Sequence, residues 1–172
     1  VPMECSLHLV RDPKTLVRTM AIQPEYLKTY GADGIVNFSE WSVQLGRRFR
    51  ALKVWFLIRF YGLDGLRLRI RNHVAWAEKL ADRLRNNPEF EITTDPILSL
   101  FSFRHVPEGE LDLDAHNLRL INAINDDGRI YLTQTNHEGM LVIRFVAGQF
   151  DMAERDVDIA YDAITEIARS VS

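Results

Sequence analysis

The sequence predicts an α+β fold, a small mixed or antiparallel sheet with helices packed on one side. Three observations predict it. Short apolar or alternating stretches cluster between residues 89 and 146, and one more stands at the N-terminus. Longer stretches with apolar residues at 3–4 spacing lie between and after them, which is the helical period. Breakers such as Asn86-Asn87-Pro88 and Asp126-Asp127-Gly128 cut the chain into the order β, α, long loop, α, α, β, β, α, β, β, α.

In residues 1–11, Met3, Cys5, Leu7 and Leu9 alternate with Glu4, Ser6 and His8, the period of a half-buried strand. Cys5 is then a small core residue, and His8 is structural rather than catalytic. Asp12-Pro13 joins a good N-cap to a proline at the first helical position, so a short helix runs to about Met20. Residues 21–40 contain Pro24, Gly31 and Gly34 and keep no period. A connection of that length is a lid, a binding loop or a disordered segment. Within it, Pro24-Glu25-Tyr26-Leu27-Lys28 has two readings. Tyr26 and Leu27 staple the loop down, or they act on a ligand.

The run Trp41–Gly62 is the most apolar stretch and the most one-sidedly charged. It has Arg47, Arg48, Arg50, Lys53 and Arg59 and no Asp or Glu. Read as a helix over about 45–61, its apolar residues point in nearly every direction. Such a helix is normally buried, and buried cations need partners that this run does not contain. Gly62-Leu63-Asp64-Gly65 then stops one helix and starts another, with Gly62 suited to the position after a helix and Asp64 to an N-cap. The second helix follows Leu66, Ile70, Val74, Ala77, Leu80 and Leu84 to about Arg85. Arg67, Arg69 and Arg71 form its solvated face, and His73 and Trp76 pack at its boundary.

Strands are expected over Glu89–Thr93 and, after Asp95-Pro96, over Ile97–Val106. The second is apolar on both faces and therefore covered on both. Asp112 or Asp114 caps a helix to about Asn125 with Leu118, Ile121 and Ala123 inward. Arg129–Thr135 and Met140–Val146 are strands joined by a hairpin-like turn over Asn136–Gly139. In the last strand Met140, Val142, Arg144 and Val146 share a face, which leaves Arg144 as a lone cation on an apolar row. It either pairs with a structural carboxylate or forms an anion site, for example for a substrate carboxylate, which arginine binds bidentately. Asp151-Met152-Ala153-Glu154 resembles a capping box and opens a final helix on Val157, Ala160, Tyr161, Ile164, Ile167 and Val171.

Composition excludes several classes. Lys+Arg 21 against Asp+Glu 24 gives a net charge of −3, which argues against a general nucleic-acid binder. No apolar run reaches the roughly 18 residues that span a bilayer, and no signal peptide is expected. The single cysteine fits a reducing compartment, and the expected location is cytoplasmic. Glycine-rich phosphate loops, serine elbows and HExxH are absent. The five histidines, 8, 73, 105, 116 and 137, are scattered singly, so no metal site is expected.

The run Trp41-x-x-x-Leu45-Gly46-Arg47-Arg48-Phe49-Arg50-Ala51-Leu52-Lys53-Val54-Trp55, with Tyr61-Gly62 and Ile70-Arg71-x-His73, closely resembles the C-terminal part of the aromatic-L-amino-acid decarboxylase family. These are group II pyridoxal-phosphate decarboxylases of fold type I. Pro24-Glu25-Tyr26-Leu27-Lys28 looks like their mobile catalytic loop and Leu141-Val142-Ile143-Arg144-Phe145 like their late core strand, so the likeness covers nearly the whole chain. The resemblance implies pyridoxal 5'-phosphate as cofactor, an aromatic amino acid as substrate, a homodimer, and loss of CO2 to give an amine.

It further implies that residues 1–40 are the tail of a large domain with the catalytic loop at about 21–40, that 41–85 are connecting helices, and that 86–172 are the small C-terminal domain. The family's Asn-x-His-Lys-Trp segment, with the Schiff-base lysine, precedes the strand matched here by Val1–Arg11. The chain is therefore expected to be a C-terminal portion that does not decarboxylate alone. Tyr26 matches the loop tyrosine that protonates the substrate's α-carbon after CO2 leaves; aldehyde-forming relatives have phenylalanine there. Gly46 matches a position lining the substrate ring pocket, where glycine leaves room for an indole or catechol. Arg47 and Arg48 match residues of subunit contact and structure. Two alternatives stand beside this reading: a non-enzymatic α+β module whose cationic helix binds an acidic partner, and a related group II decarboxylase for glutamate, histidine or aspartate.

Overall fold

The computed structural model describes residues 6–21, 36–44, 46 and 48–171. The chain forms two compact units, Val1–Leu63 and Asp64–Ser172.

In the first unit, α1 (Pro13–Met20) begins as its sequence requires. The Asp12 carboxylate accepts from the Lys14 amide at 3.0 Å and from the Thr15 hydroxyl, and Pro13 occupies the first helical turn. The Thr15 bond, foremost, holds the Asp12 carboxyl below its usual range. The expected strand is not found over residues 6–10. Leu7 and Leu9 are 87% and 85% exposed, and no described residue pairs with them. Alternation alone cannot make a strand without a neighbour to satisfy its backbone. Cys5 and Tyr26 lie outside the described residues. A short 3-10 helix, Phe38–Trp41, stands where no period was expected; Asn37 caps it by accepting from the Ser39 amide at 3.2 Å.

α2 spans Ala51–Arg85, starting some residues later than the expected helix over 45–61. It is two helical segments meeting at Gly62, whose φ of 66 and ψ of 170 belong to a region open almost only to glycine. The stop at Gly62 is thus as the sequence reads. The expected burial of the first segment is not observed, because Trp55, Phe56 and Phe60 are all exposed.

The second unit holds a four-stranded antiparallel sheet in the order β1-β2-β4-β3, with β1 Phe90–Ile97, β2 Leu100–His105, β3 Thr133–His137 and β4 Met140–Val146. β1 does not stop before Asp95-Pro96, as expected, but runs through Pro96 to Ile97. It is an edge strand, where proline forfeits no ladder bond, and its register slips between Thr94 and Ile97. The hairpin tip is Leu98-Ser99. β2 is an interior strand buried from Phe101 to His105, covered on both faces as its composition demands.

α3 (Leu113–Asp127) and α4 (Glu154–Val171) complete the unit. Phe90, Phe101, Phe103, Ile143 and Phe145 of the sheet share one core with Leu80 and Leu84 of α2, Leu120 and Ile124 of α3, and Val157 and Ile164 of α4. All three helices therefore cover one face of the sheet. Asp112 is the N-cap of α3, accepting from the Ala115 amide at 3.0 Å, and Gly128 ends it at φ 80. Leu118 points outward, contrary to expectation, because His116 and Asn117 take inward positions and bring Leu120, Ile121 and Ile124 onto the core.

β3 starts at Thr133 rather than Arg129. The Asn125 side chain takes both the amide (2.8 Å) and the carbonyl (3.1 Å) of Leu132, leaving that residue nothing to offer a strand partner. α4 opens at Glu154 without the expected box on Asp151. Instead Asp156 reaches back to accept from the Ala153 amide at 2.8 Å. Among the described residues no helix is long and apolar enough to cross a membrane.

Candidate functional site

The sheet face away from the helices carries a polar row beside the apolar Met140, Val142 and Val146. Residues directly opposite across antiparallel strands share a face. Ser102 on β2 and Thr133 on β3 both lie opposite Arg144 on β4. A hydroxyl, a guanidinium and a second hydroxyl thus form one row across three strands. Arg144 is half-buried, and no carboxylate among the described residues pairs with it. Of its two sequence readings, the structural ion pair is not found there. Arg104 lies on the same face by strand alternation, is buried, and does have a partner: its Nη2 bonds Asp114 on α3, while its Nε has none. Asp114 also accepts from the Leu141 amide at 3.1 Å, tying the first turn of α3 to the start of β4. Arg144 borders a groove of about 630 Å³ that Tyr131, Thr133, Gln149, Asp151 and Asp156 also line.

A second cluster was not legible as such. His105 and His116, read as isolated, meet inside the unit with Nδ1 of His105 2.8 Å from Nε2 of His116, and both are wholly buried. Beside them the Asn117 side chain accepts from the His105 amide at 2.8 Å and donates to its carbonyl at 2.9 Å, standing in for a strand partner. The signal was present: His105 continues the inward line of Phe101 and Phe103, and His116 stands four residues before Leu120. His73 packs against Trp76 at 5.6 Å, as its boundary position suggests, and burial followed by the Arg69 charge lowers its pKa. Arg69 is not simply solvated. It donates to the Phe150 carbonyl and lies 4.6 Å from that ring.

Of the sequence's other candidates, Tyr26 lies outside the described residues. Gly46 belongs to the first unit, is exposed, and a Cβ placed there would meet nothing within 4 Å. In that unit His8, Leu16, Met20, Phe38, Trp41 and Val43 border a groove of about 440 Å³.

Comparison with known proteins decides the family. Residues 1–106 match the pyridoxal-dependent decarboxylase conserved domain. The chain belongs to the pyridoxal-dependent decarboxylase family. It is 36% identical to tryptophan decarboxylase 2 of Oryza sativa subsp. japonica over 98% of its own length and 35% of that relative's. It is 34% identical to phenylacetaldehyde synthase of Arabidopsis thaliana over 96% of its length and 34% of the relative's. Among solved structures, that of Oryza sativa TDC with PLP and tryptamine matches with a TM-score of 0.85 and 31% identity, over 94% of this chain and 34% of that one. The chain thus spans about a third of the length of these relatives.

This decarboxylase chain is part of an enzyme family whose cofactor is pyridoxal phosphate. Its described lysines do not fit the covalent role, which needs a free amine in an enclosed pocket. Lys79 bonds Glu154 at 2.8 Å, and that bond, followed by the nearby carboxylate charges, raises its pKa. Lys14 and Lys53 are exposed on helices, and Lys53 is already engaged by a neighbouring group. Among the described residues no cluster of three or more His, Cys, Asp or Glu is placed to hold a metal ion.

Proposed function

We propose that this chain is the C-terminal portion of a decarboxylase that converts aromatic L-amino acids to amines and CO2. The observation that carries the reading is the likeness to the rice tryptophan decarboxylase over 98% of the chain. Pyridoxal phosphate, bound in the complete enzyme, supplies the electron sink for loss of the carboxylate. On this reading residues 1–40 extend a large domain, 41–85 connect, and 86–172 form the small domain of a cytoplasmic homodimer. The chain alone is inactive, since none of its described lysines fits the covalent role.

Tyr26 delivers one proton to the substrate's α-carbon from a loop that excludes water. Gly46 leaves the ring pocket open by adding no side chain to the wall it forms there. Arg144, flanked by Ser102 and Thr133 and without a carboxylate partner among the described residues, receives an anion, for which the substrate carboxylate is the candidate. A second reading, aldehyde formation, draws on the likeness to phenylacetaldehyde synthase. Tyr26 weighs against it.

The test is the complete enzyme supplied with tryptophan, tyrosine, phenylalanine, glutamate and histidine, with CO2, amine and aldehyde measured. Amine from the aromatic substrates alone is expected. Turnover of glutamate or histidine in preference overturns the substrate class, and aldehyde as main product overturns the reaction. Tyr26→Phe is expected to shift output from amine to aldehyde, and an unchanged amine yield removes Tyr26 from its role.

A further inference from the structure

We infer that His105 and His116 form an acid-sensitive latch that holds α3 on the sheet and releases it as the pH falls below neutrality. His105 projects from β2 and His116 from α3; their 2.8 Å contact joins the two elements through imidazole nitrogens in a site closed to water. Such a bond needs one N–H and one lone pair, so at least one ring must be neutral.

The neighbours pull in opposite directions. Arg119 Nη2, which can only donate, lies 3.5 Å from Nδ1 of His116 and favours a lone pair there, whereas Glu110 Oε2, 3.5 Å from the same nitrogen and bonded to Arg119 at 3.1 Å, favours a proton. In either tautomer, one added proton leaves N–H on both outer nitrogens of the pair, Nδ1 of His116 and Nε2 of His105. The latter is buried and has no partner. The protonated pair therefore holds a cation with one N–H lacking an acceptor and the Phe90 ring 4.7 Å from His105. The other charges bearing on the pair are Glu89, ahead of β1, which favours protonation of His105, and the second histidine itself, which opposes it. Arg104, the next residue of β2, points to the other face.

Both rings are accordingly harder to protonate than the ordinary 6.5, through burial first in each case. With the folded pKa lowered, the contribution is complete above 6.5 and declines as the pH drops below it. The constant for opening α3 then rises by up to about tenfold per pH unit for each histidine. Release also undoes the Asn117 clamp and withdraws Asp114 from Arg104, baring a second cation on the face that carries Arg144.

Hydrogen exchange on the 172-residue chain, corrected for intrinsic rates, tests this at about pH 7.5 and about pH 5.5. Protection of α3 is expected to fall at least about tenfold more than that of α4. The paired substitution His105→Leu with His116→Leu is expected to abolish the difference. NMR titration of the two unsubstituted imidazoles, which needs no variant to fold, is expected to place both below 6.5. Equal loss of protection in α3 and α4, persistence of the difference in the paired variant, or titration of either ring at or above 6.5 overturns the latch.

Discussion

Single side chains here finish what the backbone leaves undone. Asn117 satisfies the amide and carbonyl of His105 and donates also to the Leu113 carbonyl at 2.8 Å; Asn125 does the like for Leu132 at the other end of α3. Each group left unpaired in a buried site costs about 1–3 kcal/mol. Asn117→Ala should therefore lower unfolding stability by about 3 kcal/mol, read from urea denaturation, whereas a loss under about 1 kcal/mol would mean water replaces the clamp. Gly128 is a different case. At φ 80 it closes α3 in the left-handed region, so Gly128→Ala should cost about 1 kcal/mol by the same measurement, and Gly128→Asn less.

Between elements, apolar contact outweighs charge. The seam of α2 and α4 shows Lys79 with Glu154, Arg83 with Asp158 at 2.6 Å, and the Arg83 guanidinium 3.8 Å from the Tyr161 ring. These groups are partly solvated, and such pairs contribute little. Leu80, one residue from Lys79, is fully buried in the shared core. Leu80→Ala should cost about 2–5 kcal/mol, while Lys79→Met should leave the urea midpoint nearly unchanged. Comparable losses would show that the seam is held by its ion pairs.

At the scale of the whole molecule, the stretch around α2's first segment is the outstanding surface. Trp55 is 54% and Phe60 80% exposed, in a chain that spans about a third of its relatives' length. Exposed aromatic surface of this kind promotes association. Trp55→Glu with Phe60→Glu should reduce self-association in sedimentation velocity without lowering the unfolding midpoint of residues 64–172; unaltered association would place the contact elsewhere. The chain mixed with pyridoxal phosphate should yield no borohydride-trappable adduct at a single lysine, since its described lysines are exposed or ion-paired. A stoichiometric adduct would overturn its proposed inactivity.

What the sequence determined by itself was whatever rests on short-range physics. The caps at Asp12 and Asp112, the stops at Gly62 and Gly128, the strand Met140–Val146 and the inward line of α4 all follow from neighbouring residues. The family, too, was legible in the string from Gly46 to Trp55. Tertiary structure alone decided the rest. Pro96 stays in a strand because β1 lies at an edge, and residues 6–10 make no strand because none of the described residues pairs with them. His105 and His116, eleven residues apart, become one site only because α3 folds back over β2. Arg144 has two hydroxyl neighbours, and no carboxylate partner among the described residues, through the register of three strands. Periodicity tells which face a residue takes, whereas which residues meet on that face is set by long-range pairing, which no local pattern encodes.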